Sequence, residues 1–161
     1  MKKTTNLVWG GRFEYDSSDI LKRINNSISF DYNLAHQDIK LNKQYAKSLF
    51  KAKILSVNEL KKINAALDDI HQEVKKRKFK FSDDFEDIHM NIEMARRKRG
   101  GRLAGKLHTG KSRNDQVATD VQLWTKAKIK IVIDKLKKIQ KTIIKKSESN
   151  RNPPSPFITS T

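Results

Sequence analysis

The sequence predicts an all-α fold in which an N-terminal helical domain is followed by the first long helix of a helical bundle. Apolar residues recur at three- and four-residue steps through most of the chain, which is the period of an amphipathic helix. No stretch alternates apolar and polar residues with comparable strength, as a half-buried strand would. Residues 115–147 keep the helical period without Gly or Pro, and so long a helix needs partners along its length.

Length and composition narrow the class of protein. A chain of 161 residues can form one domain with a core, or a small domain plus part of a larger one. The absence of cysteine excludes a disulfide framework and a thiolate metal site. No segment has the apolar length of a signal sequence or a membrane span. We therefore expect a cytoplasmic protein that does not span a membrane. We also assign it no metal and no cofactor.

The charge balance keeps a second class of function open. The chain has 35 Lys and Arg against 18 Asp and Glu, a net charge of +17, and such an excess favours nucleic-acid binding. However, the basic residues alternate with Ile and Leu in helical segments, which places many of them on solvated faces. Zinc-finger spacing and aromatic RNA-binding signatures are absent. A basic helical nucleic-acid-binding module is therefore the alternative function, and nucleic acid is not the expected partner.

The first predicted elements are an extended arm and a short helix within residues 1–30. Asp31 follows, and aspartate favours the N-cap position of a helix. An amphipathic helix is predicted to begin there, and its apolar positions are Leu34, Ala35, Ile39, Tyr45, Ala46, Leu49 and Phe50.

A capping box predicts the start of the second helix. Ser56 and Glu59 have the S-x-x-E spacing, and Leu55 can pack on Leu60 across the turn. The helix therefore begins near Val57. Its narrow apolar stripe predicts packing against the preceding helix as an αα-hairpin, and consists of Leu60, Ile63, Leu67, Ile70 and Val74.

A third helix carries Ile88 and Ile92, with residues 82–84 (Ser-Asp-Asp) as its predicted caps and Gly100–Gly101 as its end. A polar loop is predicted to follow, up to about Asn114. The predicted domains are an N-terminal helical domain at 1–114 with a substrate loop at 105–116, the truncated first helix of the central bundle at 115–147, and a divergent tail at 148–161.

The 105–116 loop concentrates hydrogen-bond donors at the start of the long helix. They are His108, Thr109, Lys111, Ser112, Arg113, Asn114 and Gln116. The unpaired amides of a helix N-terminus, together with Lys111 and Arg113, favour carboxylates or phosphate. On composition alone the loop predicts either an anion-binding site or a solvated helix cap.

Residues 105–112, GKLHTGKS, also match the phosphate-loop pattern of nucleotide-binding proteins. A true phosphate loop follows a buried strand, whereas here RRKRGGR at residues 96–102 precedes it. We therefore reject nucleotide binding through this pattern.

Four blocks together resemble the argininosuccinate lyases in their order and spacing. They are LVWGGRF (residues 7–13), NSISFD (26–31), EDIHMNIE (86–93) and GKLHTGKSRNDQVATDVQLW (105–124), and the resemblance runs from about Asn6 to about Arg151. It implies membership of the fumarase and aspartase superfamily. The implied reaction is reversible β-elimination of argininosuccinate to arginine and fumarate in arginine biosynthesis. The implied assembly is a homotetramer in which several subunits build each active site.

The resemblance also implies which residues meet the substrate. Ser27, Arg113 and Asn114 correspond to substrate-contacting positions. The predicted pocket-lining residues are Asp87, His89, Thr109, Ser112 and Gln116. Two alternatives stay open, since Ser27 can be a helix cap and His89, beside Asp87, can be structural instead of an acid or base.

The chain departs from the family pattern at two places. Lys111 stands where the family commonly has arginine, so it gives a point charge without a bidentate fork. After Arg151 the chain reads NPPSPFITST, where the family continues into a Thr-His-Leu-Gln segment. Because the family's acid and base lie beyond the matched region, we assign no catalytic residue and expect no turnover by this chain alone. A purely structural role, as in lens proteins related to the family, is a further alternative.

Overall fold

The computed structural model describes residue 20 and residues 24–151, with the backbone alone at 102–104. The predicted arm, the 7–13 block and the tail beyond residue 151 lie outside the described residues or almost entirely so. Within the described part every regular element is helical and no strand occurs, so the all-α prediction is confirmed. The elements are α1 (Ile28–Asp31), a 3₁₀ turn (Tyr32–Leu34), α2 (Ala35–Lys51), α3 (Val57–Lys75), α4 (Ile88–Gly100), a 3₁₀ segment (Gly101–His108) and α5 (Arg113–Ser149).

The chain divides into two compact units, Met1–Asp120 and Val121–Thr161. The first unit contains the hydrophobic core and the first eight residues of α5. The described part of the second unit is the remainder of α5 and two residues after it. The described residues include no helix with the length and apolar character needed to cross a membrane.

Helices α2, α3 and α4 pack around one core. The stripe predicted for α3 is confirmed, because Ile63, Leu67 and Ile70 are buried while Leu60 and Val74 pack against the same cluster. The α2–α3 hairpin is confirmed as well. The remaining members of the core are Ile28, Ala35, Ile39, Ala46, Leu49, Leu55, Ile88, Ile92 and Leu107.

The capping box at the start of α3 is present as predicted. Ser56 Oγ accepts a hydrogen bond from the Glu59 amide at 3.3 Å, and Glu59 Oε2 accepts one from the Ser56 amide at 2.8 Å. Leu55 is buried in the core immediately before it. Two unpaired amides are thereby satisfied where the chain enters the helix.

The predicted N-cap at Asp31 is wrong. Asp31 is the last residue of α1, the next α-helix begins at Ala35 after a 3₁₀ turn, and the Asp31 side chain caps neither element. Its carboxylate instead accepts from Ser27 Oγ at 2.6 Å and from the Ile88 amide at 3.2 Å. Asp31 therefore satisfies an amide at the start of α4, 57 residues away in sequence.

The predicted caps of the third helix are also displaced. α4 begins at Ile88, and Asp87 is its N-cap because its Oδ1 accepts from the Met90 amide at 2.6 Å. Residues 82–84 lie in the turn before it, which the Asn91 side chain holds by donating to backbone carbonyls. The end at Gly100 is confirmed, since Gly101 adopts a φ of +61°. The predicted loop after it contains a 3₁₀ segment instead.

The capping box gives a direct stability test. Replacement of Ser56 by alanine (S56A) removes the side-chain acceptor and is expected to lower the free energy of unfolding by about 1 kcal/mol. Urea unfolding followed by circular dichroism measures it. Ser147, exposed within α5, is the control, and Ser147→Ala should leave stability unchanged or slightly higher because alanine favours helix. Equal midpoints for wild type and S56A would contradict the assignment.

Candidate functional site

The 105–116 loop is held against α2 by its backbone. Tyr45 Oη donates to the Thr109 carbonyl at 2.7 Å. Gly110, with φ at +68°, makes the turn that follows, and a Cβ at Gly110 would lie 3.6 Å from Tyr45 Oη. Lys111 Nζ donates to Asn42 Oδ1 at 2.7 Å and lies 5.7 Å from the centre of the Tyr45 ring. The middle of the loop is therefore anchored on one face of α2.

A second anchor joins the loop to the start of α3. Lys106 Nζ lies 2.7 Å from Glu59 Oε1, so one carboxylate serves both the capping box and the loop. The hydrogen bonds from Lys106 and from the Ser56 amide lower the pKa of Glu59 to about 2. Glu59 therefore stays ionised at neutral and mildly acidic pH.

The end of the loop forms the N-terminus of α5. Ser112 Oγ accepts from the Asn114 amide at 3.2 Å, which is the geometry of a serine N-cap. Asn114 is exposed, and its side chain makes no hydrogen bond among the described residues. Arg113 Nη1 is 3.5 Å from Asp87 Oδ1, and Nη2 is 3.9 Å from Glu93 Oε2. These separations are too long for strong hydrogen bonds, so the guanidinium retains donors for another carboxylate.

Glu93 gathers the positive groups around this helix start. Arg97 Nη2 is 2.6 Å from Glu93 Oε1, and His108 Nδ1 is 3.7 Å from Glu93 Oε2. Burial alone would raise the pKa of Glu93, but the charge and hydrogen bond of Arg97, with the charge of His108, lower it. The carboxylate is therefore ionised and competes with any bound anion for Arg113.

A buried polar cluster lies beneath the loop and centres on Asp38 of α2. The Asp38 carboxylate is wholly buried and accepts from His89 Nδ1 at 3.0 Å, from Asn42 Nδ2 at 2.9 Å and from Gln116 Nε2. Burial by itself would raise the pKa of Asp38, but the hydrogen bonds from His89 and Gln116 lower it. Asp38 is therefore the charged acceptor that orients His89 and Gln116.

Asp120 of α5 completes this cluster. It is wholly buried, and neither carboxyl oxygen has a hydrogen-bond donor among the described residues. Its Oδ2 lies 3.4 Å from His89 Nδ1, whose hydrogen is directed to the closer Asp38. Burial and the neighbouring Asp38 charge raise the pKa of Asp120 to about 9. Asp120 is therefore a neutral acid at neutral pH.

The cluster also has a spacing that a metal ion could use. Ligand atoms of Asp38, His89 and Asp120 lie within 4.8 Å of one another. Two nearby cations disfavour a bound metal ion, because Lys111 and Arg96 already interact electrostatically with the Asp38 carboxylate. Burial lowers the pKa of Lys111, while the Asp38 charge counteracts that change. A proton therefore suits this charge balance better than a divalent cation.

The predicted site residues fall into separate groups. Asp87 and Arg113 meet at the helix start, while His89 and Gln116 meet at Asp38 below it. Ser27 Oγ supports the start of α4 through Asp31, and within the described ranges no hydrogen bond or ion pair joins Ser27 to the loop. The substrate contacts of these residues stay predictions.

Sequence reasoning missed four contributors, Asp38, Asn42, Tyr45 and Asp120. A signal existed for the first two, since residues 35, 38, 39, 42, 46 and 49 form one helical stripe, and all six are buried. A polar side chain on such a stripe needs a partner inside the protein. Asp120 lay inside the 105–124 block without being singled out.

The helical fold and this donor-rich loop correspond to one family. A family model described as "Lyase" matches residues 11–156, and the chain belongs to that lyase family. The curated relatives it matches include argininosuccinate lyases, and the matched part is their N-terminal portion.

Three of these relatives illustrate the similarity. The chain is 44% identical over 155 residues to the argininosuccinate lyase of Ehrlichia ruminantium (strain Welgevonden), covering 96% of this chain and 34% of that protein. The Ehrlichia canis (strain Jake) protein is 46% identical over 154 residues, covering 96% and 33%. The Limosilactobacillus reuteri protein is 43% identical over 143 residues, covering 89% and 31%. The chain thus spans about a third of the length of these relatives.

The hydrogen bond from Tyr45 predicts how the loop responds to the loss of one hydroxyl group. Replacement of Tyr45 by phenylalanine removes the hydroxyl bonded to the Thr109 carbonyl, at a cost of about 1 kcal/mol. The Thr109 and Lys111 amides, which bond within the loop, should then exchange with deuterium about fivefold faster, because 1.4 kcal/mol corresponds to a factor of ten. Tyr32→Phe is the control, because it removes a tyrosine hydroxyl at another position, where the ring of Tyr32 packs on Phe81. Unchanged exchange in Tyr45→Phe would mean that the loop is held elsewhere.

Proposed function

We propose that this chain contributes part of the active site of an argininosuccinate lyase, which reversibly eliminates arginine from argininosuccinate to give fumarate. The observation that carries the proposal is the arrangement at the start of α5. Arg113 keeps unsatisfied donors and Asn114 is exposed, within a chain whose relatives are named argininosuccinate lyases.

The residue types suit this reaction. In the elimination a base removes a proton from the carbon next to a carboxylate, and the C–N electron pair then leaves with the arginine nitrogen. The intermediate carries a second negative charge spread over that carboxylate. Donors directed at its oxygens stabilise this state more than the substrate. We assign that role to Arg113 and Asn114, with Ser27 as a third substrate contact.

The remaining predicted residues support the loop in this proposal. Ser112 caps α5, Thr109 bonds to Tyr45 through its carbonyl, and Gln116 bonds to Asp38. Asp87 stands beside Arg113, and His89 bonds to Asp38. We propose that these five side chains line or brace the pocket. We assign neither acid nor base, and a cytoplasmic location remains part of the proposal.

Binding tests the proposal directly. Titration calorimetry with argininosuccinate is expected to show saturable binding to the purified 161-residue chain, weakened about tenfold or more in Arg113→Ala, because a charged hydrogen bond contributes about 1.5–3 kcal/mol. Lys130→Ala removes an equal charge from an exposed position of the same helix and should bind like wild type. Absence of saturable binding, or equal weakening in both variants, would count against the site.

Turnover is the second readout. The chain alone is expected to release no fumarate, as followed by ultraviolet absorbance, because no residue described here is assigned as the base. A rate above background that disappears in Asn114→Ala would contradict the expected inactivity, yet it would support the assignment of the substrate loop.

We also propose that the chain acts as a homo-oligomer, with a tetramer as the form that the resemblance implies. The support lies in the second unit, where many large apolar side chains of α5 are about half exposed. They include Ile129, Val132, Leu136, Ile139 and Ile143. Such a continuous exposed apolar surface is typical of an interaction site.

Self-association is therefore expected and can be tested by substitution. The double variant Leu136→Gln and Ile143→Gln removes apolar area from this stripe and should shift sedimentation velocity profiles towards the monomer. Lys137→Gln, at an exposed position between them, is the control and should not change the profile. A wild-type chain that sediments as a monomer at every accessible concentration would refute the proposal.

A further inference from the structure

Asp120 presents an unusual electrostatic problem. Its carboxyl group is wholly buried, and neither oxygen receives a hydrogen bond from any described residue. An ionised carboxylate in such a position would carry an uncompensated desolvation cost. A protonated carboxyl group removes the charge and becomes a donor in its own right.

We propose that Asp120 and Asp38 share a single proton, held on Asp120 and donated as a hydrogen bond to the Asp38 carboxylate, so that Asp120 is a positioning residue for Asp38, His89 and Gln116.

The groups around the pair support this assignment. From α4, His89 Nδ1 has one hydrogen, which points to Asp38 at 3.0 Å, leaving Asp120 Oδ2 at 3.4 Å without it. From the loop, Lys111 favours ionisation of both carboxyl groups, but its ammonium is bonded to Asn42 Oδ1 at 2.7 Å. From α4, Arg96 interacts electrostatically with Asp38. The donors to Asp38 are His89, Asn42 and Gln116, and no described residue donates to Asp120.

The direction of the Asp120 pKa agrees with this geometry, since burial and the Asp38 charge raise it to about 9. The first consequence is that His89 keeps its Nδ1 hydrogen directed at the charged Asp38 carboxylate. The second is a link between α2, α4 and the first two turns of α5 within the unit Met1–Asp120. The inference does not depend on lyase activity.

Carbon-13 NMR of the full 161-residue chain, labelled at aspartate carboxyl carbons, tests the proton directly. Asp120→Asn and Asp115→Asn assign the two signals, and Asp115 is an exposed acid on the same helix. The Asp120 signal is expected to titrate near pH 9, well above the usual range of a carboxyl group. Titration of the two signals together would overturn the proposal.

The positioning role needs a readout that simple space filling would not change. In Asp120→Asn the side-chain amide can still donate to Asp38, whereas Asp120→Leu fills similar space without a donor. The Asp38 carboxylate, followed by its own carbon-13 signal, is therefore expected to titrate at a higher pH in Asp120→Leu than in Asp120→Asn. Equal titration of Asp38 in the two variants would overturn the positioning role. If either variant fails to fold, the wild-type titration of Asp120 decides the matter.

Stability should follow the same proton. Because the pKa of Asp120 is raised on folding, the folded state holds the proton more tightly, and stability falls as pH rises from about 4 towards 9. Asp120→Asn should flatten this decline, and Asp115→Asn should not.

A metal ion is the competing occupant. If the neutral-pH Asp120 signal changes on adding Zn²⁺ or Mg²⁺ and returns with a chelator, the shared proton is refuted.

Discussion

The Asp38 carboxylate is the interaction on which the organisation of the first unit depends. A buried charge is tolerated only when its oxygens are hydrogen-bonded, and here Asp38 accepts from Asn42 of its own helix, from His89 of α4 and from Gln116 of α5. Apolar packing between α2, α3 and α4 would allow small shifts of one helix along another. The two directed bonds that reach this carboxylate from α4 and α5 admit far fewer arrangements, and they fix where the loop enters α5.

Local rules predicted the elements whose ends are satisfied locally. The α3 start was predictable because both partners of its capping box lie within four residues, and the end of α4 was predictable because Gly101 can adopt a positive φ. The failures have one cause. Asp31 has the right residue type for a cap, but its carboxylate serves Ile88, 57 residues away. The residue type indicates that a carboxylate will accept hydrogen bonds from backbone amides, whereas tertiary packing decides which amides it reaches.

The candidate site shows the same division. The donor-rich character of the 105–116 loop follows from its composition, and the family blocks indicated which residues to consider. The partner of His89 could not be predicted from the sequence. Asp87 lies two residues before it, yet as N-cap of α4 it turns to the Met90 amide and towards Arg113, while His89 faces the core and meets Asp38. Residues two positions apart at the start of a helix point in different directions, so only the fold could supply the real pairing.

Lys111 and Arg113 of the loop are held differently, and this bears on the lysine found where the resemblance predicts arginine. Lys111 is partly buried, with its ammonium on Asn42 Oδ1 and near the Tyr45 ring, so its contact is a single bond to one oxygen. A compact ammonium suits that single contact, which does not use the bidentate geometry of a guanidinium. Arg113, by contrast, is 32% exposed and only loosely paired with Asp87 and Glu93. The two carboxylates hold the guanidinium at the start of α5 without saturating it, so the substrate carboxylate that we propose there would compete against long contacts. Lys111 is therefore the charge that anchors the loop, and the bidentate group stands at Arg113, where the proposed recognition of a carboxylate would use it.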